Sequence, residues 1–189
     1  MKPLSLETRP KTSADLFALI GALDARYQRL DTHLPDEAPP VATWEGVLFR
    51  VRDQSFLAPL GQIIEVLEPP TEITALPGTK PWVLGVANNR GTLLPIFDLP
   101  ALAYAEPSSR HDSDRILVVR QDEPPCGLLV SAAIGIRHFE ADSRRPEPPP
   151  GLDILASFVE AAYELDGEPV PVLALDRLMS DPLMSAAAN

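Results

Sequence analysis

The side chains best suited to metal or nucleophilic chemistry are three histidines and one thiol. His33, His111 and His138 lie far apart in the chain, and Cys126 is the sole cysteine. The compact run His111-Asp112-Ser113-Asp114 has the residue types of a cation site, and equally those of an exposed turn before a strand at Arg115. Cys126 precedes Gly127 at the head of an apolar run, where a small buried thiol is the default. No neighbouring cation would depress its pKa and activate it. One cysteine also excludes a disulfide framework or a thiolate zinc site within the chain. There is no phosphate loop with its lysine, no Gly-x-Ser-x-Gly elbow and no His-Glu-x-x-His. Gly85 and Gly91 flank Val86–Arg90, but a dinucleotide loop needs a following helix, and Thr92–Phe97 reads as a strand. The expectation is a protein that is not an enzyme and holds no cofactor or metal.

The elements that position these residues are mostly short strands. Val47, Phe49 and Val51 alternate with Leu48, Arg50 and Arg52, the period of a half-buried strand. Further strands are expected over Ser55–Leu67, Trp82–Ala87, Thr92–Phe97, Arg115–Val119, Gly127–Arg137, Ser157–Glu164 and Glu168–Leu175. Pro59 and Gly61 break the first of these, as at a bend or bulge. Asp166-Gly167 is a hairpin signal, because glycine accepts the positive φ such a turn needs. Short helical pieces are expected at Leu99–Tyr104 and Asp176–Met179. Twenty-two prolines and ten glycines punctuate the strands, which argues for antiparallel barrels over an alternating β-α sheet. Before them, residues 12–32 read as an amphipathic helix, with Leu16, Leu19, Ile20, Leu23, Tyr27 and Leu30 on one stripe. The predicted division is a helix and Pro-rich spacer over 1–40, a barrel body over 41–182 and a tail over 183–189.

Charge narrows the partners. The net charge is −11, and residues 147–189 hold eight acidic side chains against one basic. Nucleic-acid binding draws affinity from neutralising phosphates with Lys and Arg, and no such excess exists. An acidic chain is likewise repelled by anionic lipid head groups. Without a secretory signal or a membrane-spanning stretch, the expected location is the cytoplasm, with no membrane insertion. A protein partner and a small ligand both stay open.

The most informative stretch runs from Leu76 to Leu99. It reads as two apolar strands joined by a polar corner, Asn88–Gly91, with Arg90 standing alone between hydrophobic runs. Asn and Gly accept left-handed backbone, and a guanidinium can hold carbonyls or a carboxylate in fixed geometry. This stretch resembles the CheW family of chemosensory adaptors. Its parts are Glu65-Val66-Leu67, Leu76-Pro77, Gly85-Val86-Ala87-Asn88-Asn89-Arg90-Gly91 and the strand closing on Asp98-Leu99. Trp44-Glu45-Gly46, Leu67-Glu68-Pro69-Pro70 and His138-Phe139 look most like the branch that serves type IV pilus, or twitching-motility, systems.

The resemblance implies an all-β fold of two five-stranded SH3-like barrels sharing a core, preceded by the added helix. It implies a non-catalytic scaffold coupling methyl-accepting chemoreceptor tips to the regulatory domain of a CheA-type histidine kinase, close to membrane receptor arrays. By family position, Ile63, Glu65 and Gly85 would face the kinase. Asn88, Arg90, Gly91 and Ser131 would border the receptor groove. The family usually has an aliphatic residue in place of Asn89, so a more polar corner is expected. It usually has an aspartate in place of Ser131, so either loss of a partner for Arg90 or an altered groove is expected. A small-ligand module using the groove between barrels, and an adaptor that binds kinase alone, are the competing readings.

Overall fold

The computed structural model describes residues 42–106, 108–120, 124–145 and 153–185. The chain divides into two units, Met1–Val41 and Ala42–Asn189, and every described residue belongs to the second. The helix expected over 12–32 lies outside the described residues.

Ten strands follow in order: β1 (Thr43–Val51), β2 (Gln54–Pro59), β3 (Ile63–Leu67), β4 (Val83–Asn89), β5 (Thr92–Asp98), β6 (Arg115–Val119), β7 (Cys126–Val130), β8 (Ala132–Glu140), β9 (Val159–Leu165) and β10 (Glu168–Leu173). Among the described residues three short α-helices complete them: α1 (Leu99–Tyr104), α2 (Leu175–Ser180) and α3 (Pro182–Ser185). Two expected strands are each divided in the fold. Ser55–Leu67 becomes β2 and β3, separated by a 3-10 turn at Leu60–Gln62 directly after Pro59. Gly127–Arg137 becomes β7 and β8, which break at Ser131 and belong to different sheets. The expected start of a strand at Ser157 also moves, because Asp153–Phe158 is a 3-10 segment and β9 begins at Val159.

The strands form two five-stranded sheets, ordered β8-β1-β2-β10-β9 and β3-β6-β7-β5-β4. Barrel two is thus one continuous stretch of chain inserted between β2 and β8 of barrel one. Period-two alternation divides the side chains between three cores. Val47, Phe49 and Val51 of β1 join Leu117 and Val119 of β6 and Leu128 and Val130 of β7 in a core common to both barrels. Leu48 points the other way, into a smaller core with Leu57, Tyr163 and Val172. Ile116, Val118 and Leu129 likewise fill the interior of barrel two with Leu94 and Ile96. Strands β6 and β7 are covered on both faces, which is why they read as unbroken apolar runs. Phe49 is wholly buried and stacks on Phe56 with ring centroids 5.9 Å apart. Truncating a ring so enclosed costs about 3–5 kcal/mol.

Each barrel finishes at its free edges. In barrel one, Arg145 pairs with Ala162 of β9 through two backbone bonds of 2.9 and 2.8 Å. Arg144 and Arg145 add ion pairs to Glu160 and Glu164. Beneath them Tyr163 stacks on Trp44 and Phe139, at 4.7 and 4.6 Å. In barrel two, Thr74 pairs with Val86 on the outer edge of β4, by reciprocal bonds of 2.9 Å. Gly85 makes that approach possible: its φ is +131°, and a Cβ there would stand 2.1 Å from the Thr74 carbonyl oxygen.

Strand β5 runs into α1 through Asp98, whose carboxylate accepts the Ala101 N–H at 2.8 Å and the Ser108 hydroxyl. That aspartate is buried and consumed as a helix cap.

Candidate functional site

The polar corner is a two-residue hairpin turn joining β4 to β5. Its left-handed residues are Arg90, at φ 51°, and Gly91, at φ 88°. Asn88 and Asn89, expected to supply that conformation, remain in the strand. Asn88 instead closes the turn from the side, its Oδ1 accepting the Gly91 N–H at 2.7 Å. An arginine at positive φ is uncommon and is held there by its surroundings.

Those surroundings include Glu65. Its Oε2 lies 3.2 Å from an Arg90 terminal nitrogen, and its Oε1 accepts the Asn89 side-chain N–H at 2.9 Å. Strands β3 and β4 are the two free edges of the second sheet, so the three side chains join edges that no backbone ladder connects. Glu65 is a quarter exposed, whereas Arg90 is 79% exposed. The carboxylate is therefore largely occupied, and the guanidinium keeps most of its donors toward solvent. Glu65 and Arg90, expected on separate surfaces, form one group. Asn89 takes part in it through its amide, which an aliphatic side chain lacks.

The other expected residues are placed differently. Ile63 is buried in the common core. A bulge between Ile63 and Glu65 turns the strand, and the exposed apolar side chains of β3 are Ile64 and Val66, at 47% and 43%. Gly85 is buried beneath the Thr74 segment, so its visible role is to admit that segment. Ser131 sits where β7 passes into β8. Its hydroxyl accepts the backbone N–H of Arg52 at 2.8 Å, and its own N–H binds the Arg50 carbonyl. The carboxylate that Arg90 holds is Glu65, and Ser131 serves the β1–β2 turn. Arg52 there is left-handed, lies 4.3 Å from the Tyr104 ring centre and ion-pairs with Glu106.

Of the residues first weighed for catalysis, His33 lies outside the described residues, and the others are engaged in structure. The Asp114 carboxylate accepts the His111 backbone N–H at 2.9 Å, closing the turn before β6. Cys126 is buried in the common core, and burial pushes its thiol up to about 12. His138 Nε2 lies 3.1 Å from Glu45 across the β1–β8 pair. Among the described residues no cluster of His, Cys, Asp and Glu could hold a metal ion, and no helix is long and apolar enough to cross a membrane.

The sequence reading missed Ile64, Val66 and Leu93 as surface residues; Leu93 is 68% exposed on β5. It also missed Thr74 as an edge partner. Nothing in local periodicity marks a single pairing residue inside a proline-rich connection.

Two barrels with one common core, and a Gly85–Gly91 segment closing on an arginine turn, define a scaffold of known type. A model of the CheW-like domain matches residues 45–183, and the chain belongs to that family. It is similar to Protein PilI of Pseudomonas aeruginosa, at 39% identity over 147 residues covering 78% of this chain and 82% of the relative. It is also similar to the probable chemotaxis protein CheW of Rhizobium etli, at 31% identity, covering 76% of this chain and 92% of the relative. Protein FrzA of Myxococcus xanthus is 26% identical, over 77% of this chain and 91% of its own. The fold is shared with the crystal structure of scaffolding protein TtCheW from Thermoanaerobacter tengcongensis. That comparison has a TM-score of 0.65 at 23% identity, over 80% of this chain and 96% of the other.

Proposed function

We propose that this protein is a non-catalytic chemosensory adaptor, coupling the signalling tip of a methyl-accepting chemoreceptor to the regulatory domain of a CheA-type histidine kinase. The output is type IV pilus motility, and the protein works in the cytoplasm beside membrane receptor arrays. The family membership supports the adaptor role, and the likeness to PilI supports the pilus output.

The observation that carries the reading is the Glu65–Arg90 group with exposed apolar side chains on the strands that hold it. Ile64 and Val66 neighbour Glu65 in β3, and Leu93 follows the turn in β5. A docking surface needs apolar area to bind and polar groups to fix register, and these strands supply both. Glu65 and Arg90 then act in docking as a unit, with Ile64 and Val66 as the apolar contacts and Ile63 and Gly85 shaping the strands behind them. The receptor would occupy a separate face, for which the exposed Ile134 and Ile136 of β8 supply apolar area. Individual contacts of this size are weak, and repetition in an array supplies avidity.

Co-precipitation with a kinase regulatory domain tests the reading. Binding by the parent chain, lost in Glu65→Arg with the fold intact, is the expected result. Undiminished binding by the variant discards the assignment.

A further inference from the structure

The outer edge of β4 offers backbone groups that side-chain docking at the Glu65–Arg90 group does not engage. Thr74 takes both backbone groups of Val86 on that edge. In a strand the outward-facing groups recur every second residue, so the N–H and C=O of Asn88 face the same side as those of Val86. Among the described residues, no strand pairs with β4 there beyond Thr74. Opposite Val86 on the inner side stands Pro95, which has no N–H to give.

Asn88 also lines a cleft of about 850 Å³. Leu76, 43% exposed, and Leu93, 68% exposed, are apolar side chains on its walls. A second hollow of about 170 Å³ continues it across Pro70, Ala87 and Asn88 toward Leu67 and Glu68. The charged residues lining these two hollows are Glu72 and Glu68, with no cation. An unpaired strand edge with an apolar wall and a single sign of charge fits an extended peptide.

The geometry points to the β4 edge at Asn88 as a strand-addition site for an extended segment of another protein. That segment carries an apolar side chain between Leu76 and Leu93 and a Lys or Arg facing Glu72 and Glu68. It extends the line that Thr74 begins, exchanging backbone hydrogen bonds with Asn88. Charge complementarity selects the occupant: a chain of net charge −11, with Glu72 and Glu68 as the charged residues of these two hollows, favours a basic segment. The inference differs from the proposed kinase docking in recognition mode, backbone pairing along β4 in place of side-chain contact with the Glu65–Arg90 group, although Leu93 borders both.

The test uses the full chain and a capped hexapeptide of alternating lysine and valine, followed by fluorescence anisotropy and by amide NMR. Two further peptides carry N-methyl groups, one on the lysine amides and one on the valine amides; a fourth has glutamate for lysine. The parent peptide binds, shifting the amides of Asn88 and Thr74. One N-methylated peptide binds at least about tenfold more weakly, a difference of one hydrogen bond or more. The glutamate peptide does not bind, and Glu72→Lys weakens the lysine peptide. Equal binding by both methylated peptides overturns the proposal, because it removes backbone pairing. Shifts confined to other strands, no binding at about 1 mM peptide, or self-association of the chain through β4 overturn it as well.

Discussion

The Glu65 carboxylate on β3 lies 3.2 Å from the Arg90 guanidinium at the β4–β5 turn, although the two residues stand on edges of the sheet that share no ladder. Arg90 projects mostly into solvent, so the pair contributes little to stability, about 0–1 kcal/mol as for exposed pairs. Its value is geometric. It fixes an arginine in left-handed backbone and ties the turn to β3, the strand that bears Ile64 and Val66.

Arg90→Ala should therefore lower the unfolding midpoint only slightly while weakening kinase co-precipitation. The charge-swapped double variant, Glu65→Arg with Arg90→Glu, should recover binding in part if the pair acts as a unit. Denaturant titration and pull-down on the same preparations check both statements.

Gly85→Ala should be severely destabilising, by more than about 2 kcal/mol. The added methyl would meet the Thr74 carbonyl at 2.1 Å, and the residue would be forced to φ +131°. Loss of slow exchange at the Val86 amide would show that the Thr74 pairing had gone.

Ser131→Ala removes the acceptor for the Arg52 N–H, and should cost about 1 kcal/mol. Kinase binding should be unchanged, because the bond serves the β1–β2 turn. Urea unfolding beside a pull-down separates the two effects.

Alkaline pH should destabilise the protein through Cys126. The unfolded thiol ionises near 9.0, while the buried thiol holds its proton to about 12. Between those values the native state binds the extra proton, so stability falls as pH rises, by at most about 1.4 kcal/mol per unit. Burial also raises the Tyr163 phenol, against a smaller opposing effect of Arg144, and this adds a slope of the same sign. Urea midpoints measured on both sides of the thiol's ordinary pKa should show the decline, and Cys126→Ala should make it shallower.

The alternation in Val47–Val51, the Asp166-Gly167 turn and the apolar runs of β6 and β7 were readable because each is local. The division of two long runs was not. A proline followed by a one-turn 3-10 segment, and a single serine, look in sequence like irregularities within a strand. In space they send the chain to another sheet. Ile63 and Ile64 are alike in type, so only the bulge decides which is core and which is surface. Glu65 and Arg90 were both singled out from their motifs, yet their contact arises from barrel curvature, which no spacing along the chain encodes.

The central claim is that the face around Glu65 and Arg90 is a docking surface for the kinase. Titration calorimetry of the full chain against a CheA-type regulatory domain tests it most directly. The account predicts saturable binding that Glu65→Arg weakens by at least about tenfold, with circular dichroism and unfolding midpoint close to the parent. Equal affinities for parent and variant would contradict it.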